Sequence, residues 1–329
     1  MEISLRFPPE KLVEKAMPPS LRTPPPLIGC VMEDLERLIG LNEVKDMVRE
    51  IVAYVYIQKE RNTHNLKAGS CSLHMMLTGN PGTGKTTVAR ILGRILKENQ
   101  VLSRGHLVEV ERADLVGEYV GHTAQKTREQ IKKALGGVLF IDEAYTLAQG
   151  GNRDFGQESI GTLVKAMEEN RDNLVVILAG YPENMNRFIH SNPGLASRFP
   201  IVLRFPDYSQ SELLAIAMQM YHDRDYELTS RAKWRLKNIL AGKMAGEKNG
   251  NARLVRNIVE KSIRIQAVRL YSLGHKPDRN ELQIIEETDL QYWYPMTDNW
   301  TSENGAWNDD ITNQHRSIRG AVGGYISAN

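Results

Sequence analysis

An apolar run, Leu73 to Thr78, leads directly into Gly79-Asn80-Pro81-Gly82-Thr83-Gly84-Lys85-Thr86-Thr87, and a helical pattern carrying Val88, Ala89, Ile91 and Leu92 follows. A full GxxxxGK[ST] between a strand and a helix limits the fold severely, because the motif works only where a strand end meets a helix N-terminus. Its glycines let backbone N–H groups converge on phosphates, and the helix start adds partial positive charge. Lys85 is the candidate to reach the β- and γ-phosphates and the Thr86 hydroxyl the candidate to ligate Mg²⁺. A chance match in an ordinary loop is the competing explanation, and the flanking strand and helix weigh against it.

Four more short apolar runs, HLVEVE, GVLFID, LVVILAG and PIVLRF, alternate with helical stretches. With LHMMLT they predict an α/β fold with a parallel five-stranded sheet and helices on both faces. The run Val138 to Ile141 ends abruptly in Asp142 and Glu143. Carboxylates at the C-terminal edge of a parallel strand face the crevice where such sheets bind ligands. Asp142 is therefore the candidate to hold hydrated Mg²⁺ beside Thr86, and Glu143 the candidate to polarise an attacking water. Either could instead cap a following helix. Ahead of the phosphate loop, Val44, Met47, Val48, Ile51, Val52 and Val55 recur at three-to-four-residue spacing and predict one apolar helix face. After Pro206 the strand signals stop, and three helical patterns predict a small helical domain. The expected division is a Pro-rich leader over 1–30, an α/β domain over 31–207, a helical domain over 208–290 and a disordered tail over 291–329. Trp293, Trp300 and Trp307 lie in that tail, where they could alternatively dock on a neighbour or client.

Charge excludes little but directs attention. With 42 Lys and Arg against 40 Asp and Glu, the net charge of +2 gives no bulk reason to invoke nucleic acid or an anionic membrane. Cys30 and Cys71 make no metal-binding or redox spacing, which fits reduced thiols in a cytoplasmic protein. No run approaches the length of a signal peptide core or a membrane-spanning helix, so cytoplasmic location with no membrane partner is the expectation.

The motif order and the stretches ADLVGEYVGHTAQKT, GGVLFIDEAYTL, NPGLASRFP and GNARLVRN resemble the CbxX/CfqX branch of the AAA+ ATPases, from about residue 33 to about 290. The resemblance implies an AAA+ P-loop NTPase fold, with the small helical domain as a lid, and hydrolysis of ATP with Mg²⁺. Arg198 then matches an arginine finger donated to the neighbouring subunit, although pairing with a carboxylate such as Asp207 would explain it as a surface residue. Arg253 matches the sensor-2 arginine, with Arg256 one turn on as the alternative. Ile39 and Gly40, in Leu38 to Leu41, match the adenine-pocket region. Where many members carry a polar sensor 1, this chain reads Leu178-Ala179-Gly180-Tyr181, so the Tyr181 hydroxyl or a neighbour would have to position the water. Tyr119, Val120 and Gly121 match a pore loop that grips a protein client; a buried tyrosine anchoring the loop is the alternative. Lys126, Arg128, Lys132 and Lys133 form a basic helix, either a solvated face or a contact for phosphate or an acidic client. A finger donated in trans implies a ring homo-oligomer, six-membered by analogy. Remodelling of a protein client, in sporulation or less readily in rubisco activation, is the function implied. A nucleic-acid motor or an ATP-controlled scaffold is the alternative.

Overall fold

The computed structural model describes residues 29–290 except 68, 70–71, 118, 120, 150–154, 192 and 245–249. The expectations for a Pro-rich leader and for the Trp-containing tail lie outside the described residues, apart from the leader's last two positions. The described residues belong to one compact unit.

Helices α1 (Gly29–Glu36) and α2 (Asn42–Thr63) precede the sheet. The predicted apolar face of α2 buries Val44, Val48, Ile51, Val52 and Val55, while Met47 is only partly covered. Lys45 is buried with them because its Nζ donates to the Glu36 and Leu38 carbonyls at 3.1 and 2.6 Å. It thus satisfies backbone acceptors left over at the end of α1.

The five expected strands form: β1 (Met75–Gly79), β2 (Leu107–Val110), β3 (Val138–Ile141), β4 (Val175–Gly180) and β5 (Ile201–Phe205), in the spatial order β2-β3-β4-β1-β5. All four pairings are parallel. The three inner strands are buried at every residue, whereas β2 and β5 at the edges are only partly buried. This is why the inner strands read as continuous apolar runs. Between them run α3 (Lys85–Glu98), α4 (Arg112–Leu115), α5 (His122–Ala134), α6 (Gly156–Glu169), α7 (Pro182–Ser191) and α8 (Pro193–Ala196). On α3, Val88, Ala89, Ile91, Leu92, Ile95 and Leu96 are buried, as its periodicity requires.

Beyond β5 the helices α9 (Gln210–His222), α10 (Ser230–Met244) and α11 (Asn251–Tyr271) form where the patterns predict them, followed by the short α12 (Arg279–Gln283). One expectation is corrected: strands do not stop after Pro206. Glu227–Leu228 (β6) pairs in parallel with Ile284–Ile285 (β7). A two-residue strand carries no readable alternation, so only the long-range pairing defines it.

Under the sheet, His74 is nearly fully buried at the start of β1. Its Nδ1 accepts from the Val176 N–H at 3.0 Å, and its ring lies 6.1 Å from that of Phe199. Burial pulls its pKa from 6.5 to about 4, against a backbone hydrogen bond to Met167 that favours the protonated form. Between those two values the unfolded chain binds a proton that the native chain refuses. Stability should therefore be unaffected by this group above pH 6.5, and should fall by about 3 kcal/mol in total as pH drops towards 4. Urea unfolding across this range should show that slope, and His74→Asn, whose amide oxygen can still accept from Val176, should flatten it.

Candidate active site

The phosphate loop leaves the end of β1 and closes on α3. Lys85 Nζ donates to the Gly79 and Asn80 carbonyls at 2.8 and 2.9 Å, and Thr83 Oγ1 donates to the Asn80 carbonyl at 2.8 Å. Burial lowers the Lys85 pKa, Asp142 and Glu143 oppose this, and Arg253 adds to it. The ammonium is thus partly stripped of water and held by neutral carbonyls, the condition in which a phosphate oxygen is a favourable new partner. Gly82 needs to be glycine twice over: its φ is +76°, and a Cβ would sit 2.6 Å from the Gly250 carbonyl oxygen and 2.9 Å from the Arg253 nitrogen. The backbone of Arg253 therefore lies against the loop. Gly40, too, comes to the site, packed on Tyr208 and Glu212, and Leu41 approaches Gly84.

Because the strands are parallel, β3 ends at the same edge of the sheet as β1. The Asp142 N–H still donates to the Val110 carbonyl at 3.0 Å, so its side chain emerges where the sheet ladder finishes. Glu143 occupies the N-cap position of a 3₁₀ turn, Ala144–Ala148, but makes no side-chain capping bond. Capping thus does not account for its carboxylate. Burial raises the Glu143 pKa, reinforced by Asp142 and opposed by Lys85. A carboxylate hydroxyl-paired and partly desolvated in this way can accept a proton from water. Its hydrogen-bond partner is the Tyr145 hydroxyl. Tyr181 lies one ring further out, its centroid 6.3 Å from that of Tyr145. Sequence reasoning passed over Tyr145, although it follows Glu143 by two residues. Thr86, on the first turn of α3, and Asp142 offer a hydroxyl and a carboxylate, the oxygen donors that suit Mg²⁺ with several retained waters.

Asp207, just after β5, ties the loop to the helical region. Its carboxylate accepts from Asn80 Nδ2 at 2.9 Å through each oxygen and from Asn251 Nδ2 at 2.8 Å. Asn251 also accepts from the Tyr208 N–H at 3.0 Å, and the Ala252 N–H donates to the Gly82 carbonyl at 3.0 Å. Tyr208 closes the circuit, donating its hydroxyl to the Thr83 carbonyl at 3.1 Å. Burial, with the Glu212 charge in support, pushes its phenol up to about 12, so it stays a donor. Neither Asp207 nor Asn251 was singled out for this role from sequence; the asparagine preceding Ala252-Arg253 was the available signal.

Arg198 does not pair with Asp207. Its guanidinium bonds the Glu168 carboxylate and, at 2.8 Å, the Gly194 carbonyl. Tyr119 is not buried: it is 66% exposed, edge-on to His122 at 5.6 Å. Helix α5 pins the segment that leads into its loop, since Lys126 Nζ donates to the Ala113 and Val116 carbonyls at 2.9 and 3.3 Å and Thr123 Oγ1 accepts from the Gly117 N–H at 2.9 Å. Lys126 is thus a structural tether rather than a free cation. Gly121 is the N-cap residue of α5, at φ +84°; Val120 lies outside the described residues.

This site and fold define a class. Residues 75–207 match the ATPase family associated with various cellular activities (AAA), and residues 209–300 match the AAA lid domain. Stage V sporulation protein K of Bacillus subtilis (strain 168) is 51% identical over 263 residues, 79% of this chain and 81% of that protein. The chloroplastic ribulose bisphosphate carboxylase/oxygenase activase of Cyanidioschyzon merolae (strain NIES-3377 / 10D) is 44% identical over 79% of this chain and 90% of its own. Among solved structures, the FIGL-1 AAA domain in complex with ADP superposes with a TM-score of 0.55 at 17% identity, covering 86% of this chain and 89% of that one, and shares the fold. The chain belongs to the AAA ATPases, in the branch that holds these sporulation and CbxX/CfqX-type proteins, and is an ATP hydrolase. Among the described residues no helix is long and apolar enough to cross a membrane.

Asn251→Gly keeps the backbone comfortable at φ +46° while deleting the side-chain bonds. It should lower unfolding stability by about 1–3 kcal/mol, because the buried Tyr208 N–H loses its acceptor. Calorimetry and equilibrium nucleotide binding should show this loss together with weaker ATP binding.

Proposed function

We propose that this ATPase assembles into a ring and uses hydrolysis to remodel a protein client. The observation that carries this reading is Tyr119, an exposed aromatic on a loop braced from α5, which can grip apolar peptide surface without specificity. Gly79 to Thr87 bind the phosphates through backbone N–H groups, with Lys85 as the mobile cation. Ile39 and Gly40 border the adenine, and Arg253 reaches the phosphates from the lid. Thr86 and Asp142 would hold Mg²⁺, which when bound would supply positive charge against the phosphates. Glu143 accepts the proton of the attacking water. Tyr181 borders this carboxylate through Tyr145.

Arg198 bonds Glu168 and Gly194 within its own chain, none of them part of its own phosphate loop. Its place after α8 suits donation to the γ-phosphate of an adjacent subunit, so a ring, six-membered by analogy, completes each site. Binding of ATP would draw the lid onto the loop through Asn251, and hydrolysis would release it and move Tyr119. The likeness to stage V sporulation protein K supports spore development as the setting, in the cytoplasm; rubisco activation is the second setting, from the activase relative.

Glu143→Gln should keep ATP binding while turnover falls by roughly 10² to 10⁴. Arg198→Ala should lose about 10³ or more. Mixing Arg198→Ala with Lys85→Ala subunits, each inactive alone, should restore hydrolysis, since one supplies an intact phosphate loop and the other an intact finger. No recovery would exclude a site shared between subunits. Affinity capture with the Glu143→Gln protein and ATP should retain a protein that adding Tyr119→Ala releases; capture of nucleic acid instead would overturn the client assignment.

A further inference from the structure

A carboxylate acting as a base needs one oxygen free for water and the other held still. We infer that Tyr145 is the positioning residue that holds Glu143 in this way, its hydroxyl bonding Oε2 so that Oε1 remains for the water. The inference rests on the reading of Glu143 as the base.

Three features of the fold converge on it. First, the turn that follows β3 is built without the Glu143 side chain. The Thr146 N–H and hydroxyl satisfy the Glu143 carbonyl at 2.9 and 2.7 Å, and Glu143 makes no side-chain capping bond, which leaves its carboxylate uncommitted to the turn. Second, the Tyr145 ring has a seat made for it. Gly180, the last residue of β4, would place a Cβ 2.9 Å from Tyr145 Cδ1 and 2.9 Å from Met185 Sδ, so any larger residue would push the ring away. Strand β4 lies between β3 and β1 in the sheet, hence this seat borders the crevice shared by Asp142 and the phosphate loop. Third, the ring is backed by Tyr181 at a tilted 58°, which limits its retreat. Glu143 stands next to the like-charged Asp142, and without a donor its flexible side chain would swing away from that neighbour. The phenol supplies the donor, and Gly180 and Tyr181 fix the phenol.

Steady-state ATP hydrolysis by the full-length protein with Mg²⁺ tests this. Tyr145→Phe should lower kcat by roughly tenfold to a hundredfold with KM for ATP within about twofold, because the base is misplaced while the phosphate loop is untouched. In single-turnover measurements on the Glu143→Gln background, Tyr145→Phe should cause no further loss. Gly180→Ala, which displaces the ring with its hydroxyl intact, should lower kcat in the same manner. An unchanged kcat in Tyr145→Phe, an equal loss in both backgrounds, or the loss appearing in Tyr181→Phe instead would overturn the inference. Glu143→Gln with wild-type turnover would remove the reading of Glu143 itself. Inactive Glu143→Gln beside a silent Tyr145→Phe would defeat only the positioning role.

Discussion

The Asp207 carboxylate accepts hydrogen bonds from Asn80 in the phosphate loop and from Asn251 at the head of α11, and the remaining geometry of the site follows from this junction. Asn251 is buried and holds a left-handed backbone angle, a conformation that costs free energy and persists because side-chain hydrogen bonds to Tyr208, Pro81 and Asp207 define it. Through these contacts the lid grips the loop at Pro81 and Gly82 rather than merely lying near it. The loop and the start of α11 are therefore held to one another by direct hydrogen bonds.

Electrostatics at the junction is asymmetric in a useful way. Burying the Lys85 ammonium costs more than Asp142 and Glu143 return, so its pKa falls, while the same burial raises that of Glu143. Both groups are therefore poised towards partners that the protein alone does not supply: an anion for the lysine and a proton for the glutamate. Parallel strands bring them to one edge of the sheet although 58 residues of sequence position separate Lys85 from Glu143. The β2–α5 loop carries the exposed Tyr119 on a frame stiffened by Lys126 and Thr123, which suits the proposed role in gripping a client.

Much of this was legible without coordinates, for identifiable reasons. The phosphate loop is local: its glycines, lysine and threonine sit within one short segment, and their spacing alone dictates what they surround. The five strands were readable because three are buried on both faces and so are almost wholly apolar, and α2 and α3 because their burial repeats with the helical period. Asp142 and Glu143 announced themselves as charges ending an apolar strand.

What the sequence could not decide were partnerships between distant residues. Asp207 reads as one acidic residue after a strand, and only the fold sets it between Asn80 and Asn251. Arg198, just after α8, finds Glu168 on α6 across 30 positions of sequence, a pairing that no spacing encodes. Strands β6 and β7 are too short to carry a pattern and exist through their pairing alone. Tyr145 follows Glu143 closely in sequence, yet its importance depends on the absent side chain of Gly180, a space that opens only when β4 lies beside β3. Local chemistry and periodic burial are written along the chain; the choice among possible polar partners is made by tertiary packing, because desolvation rewards only the pairs that the fold brings within hydrogen-bond distance.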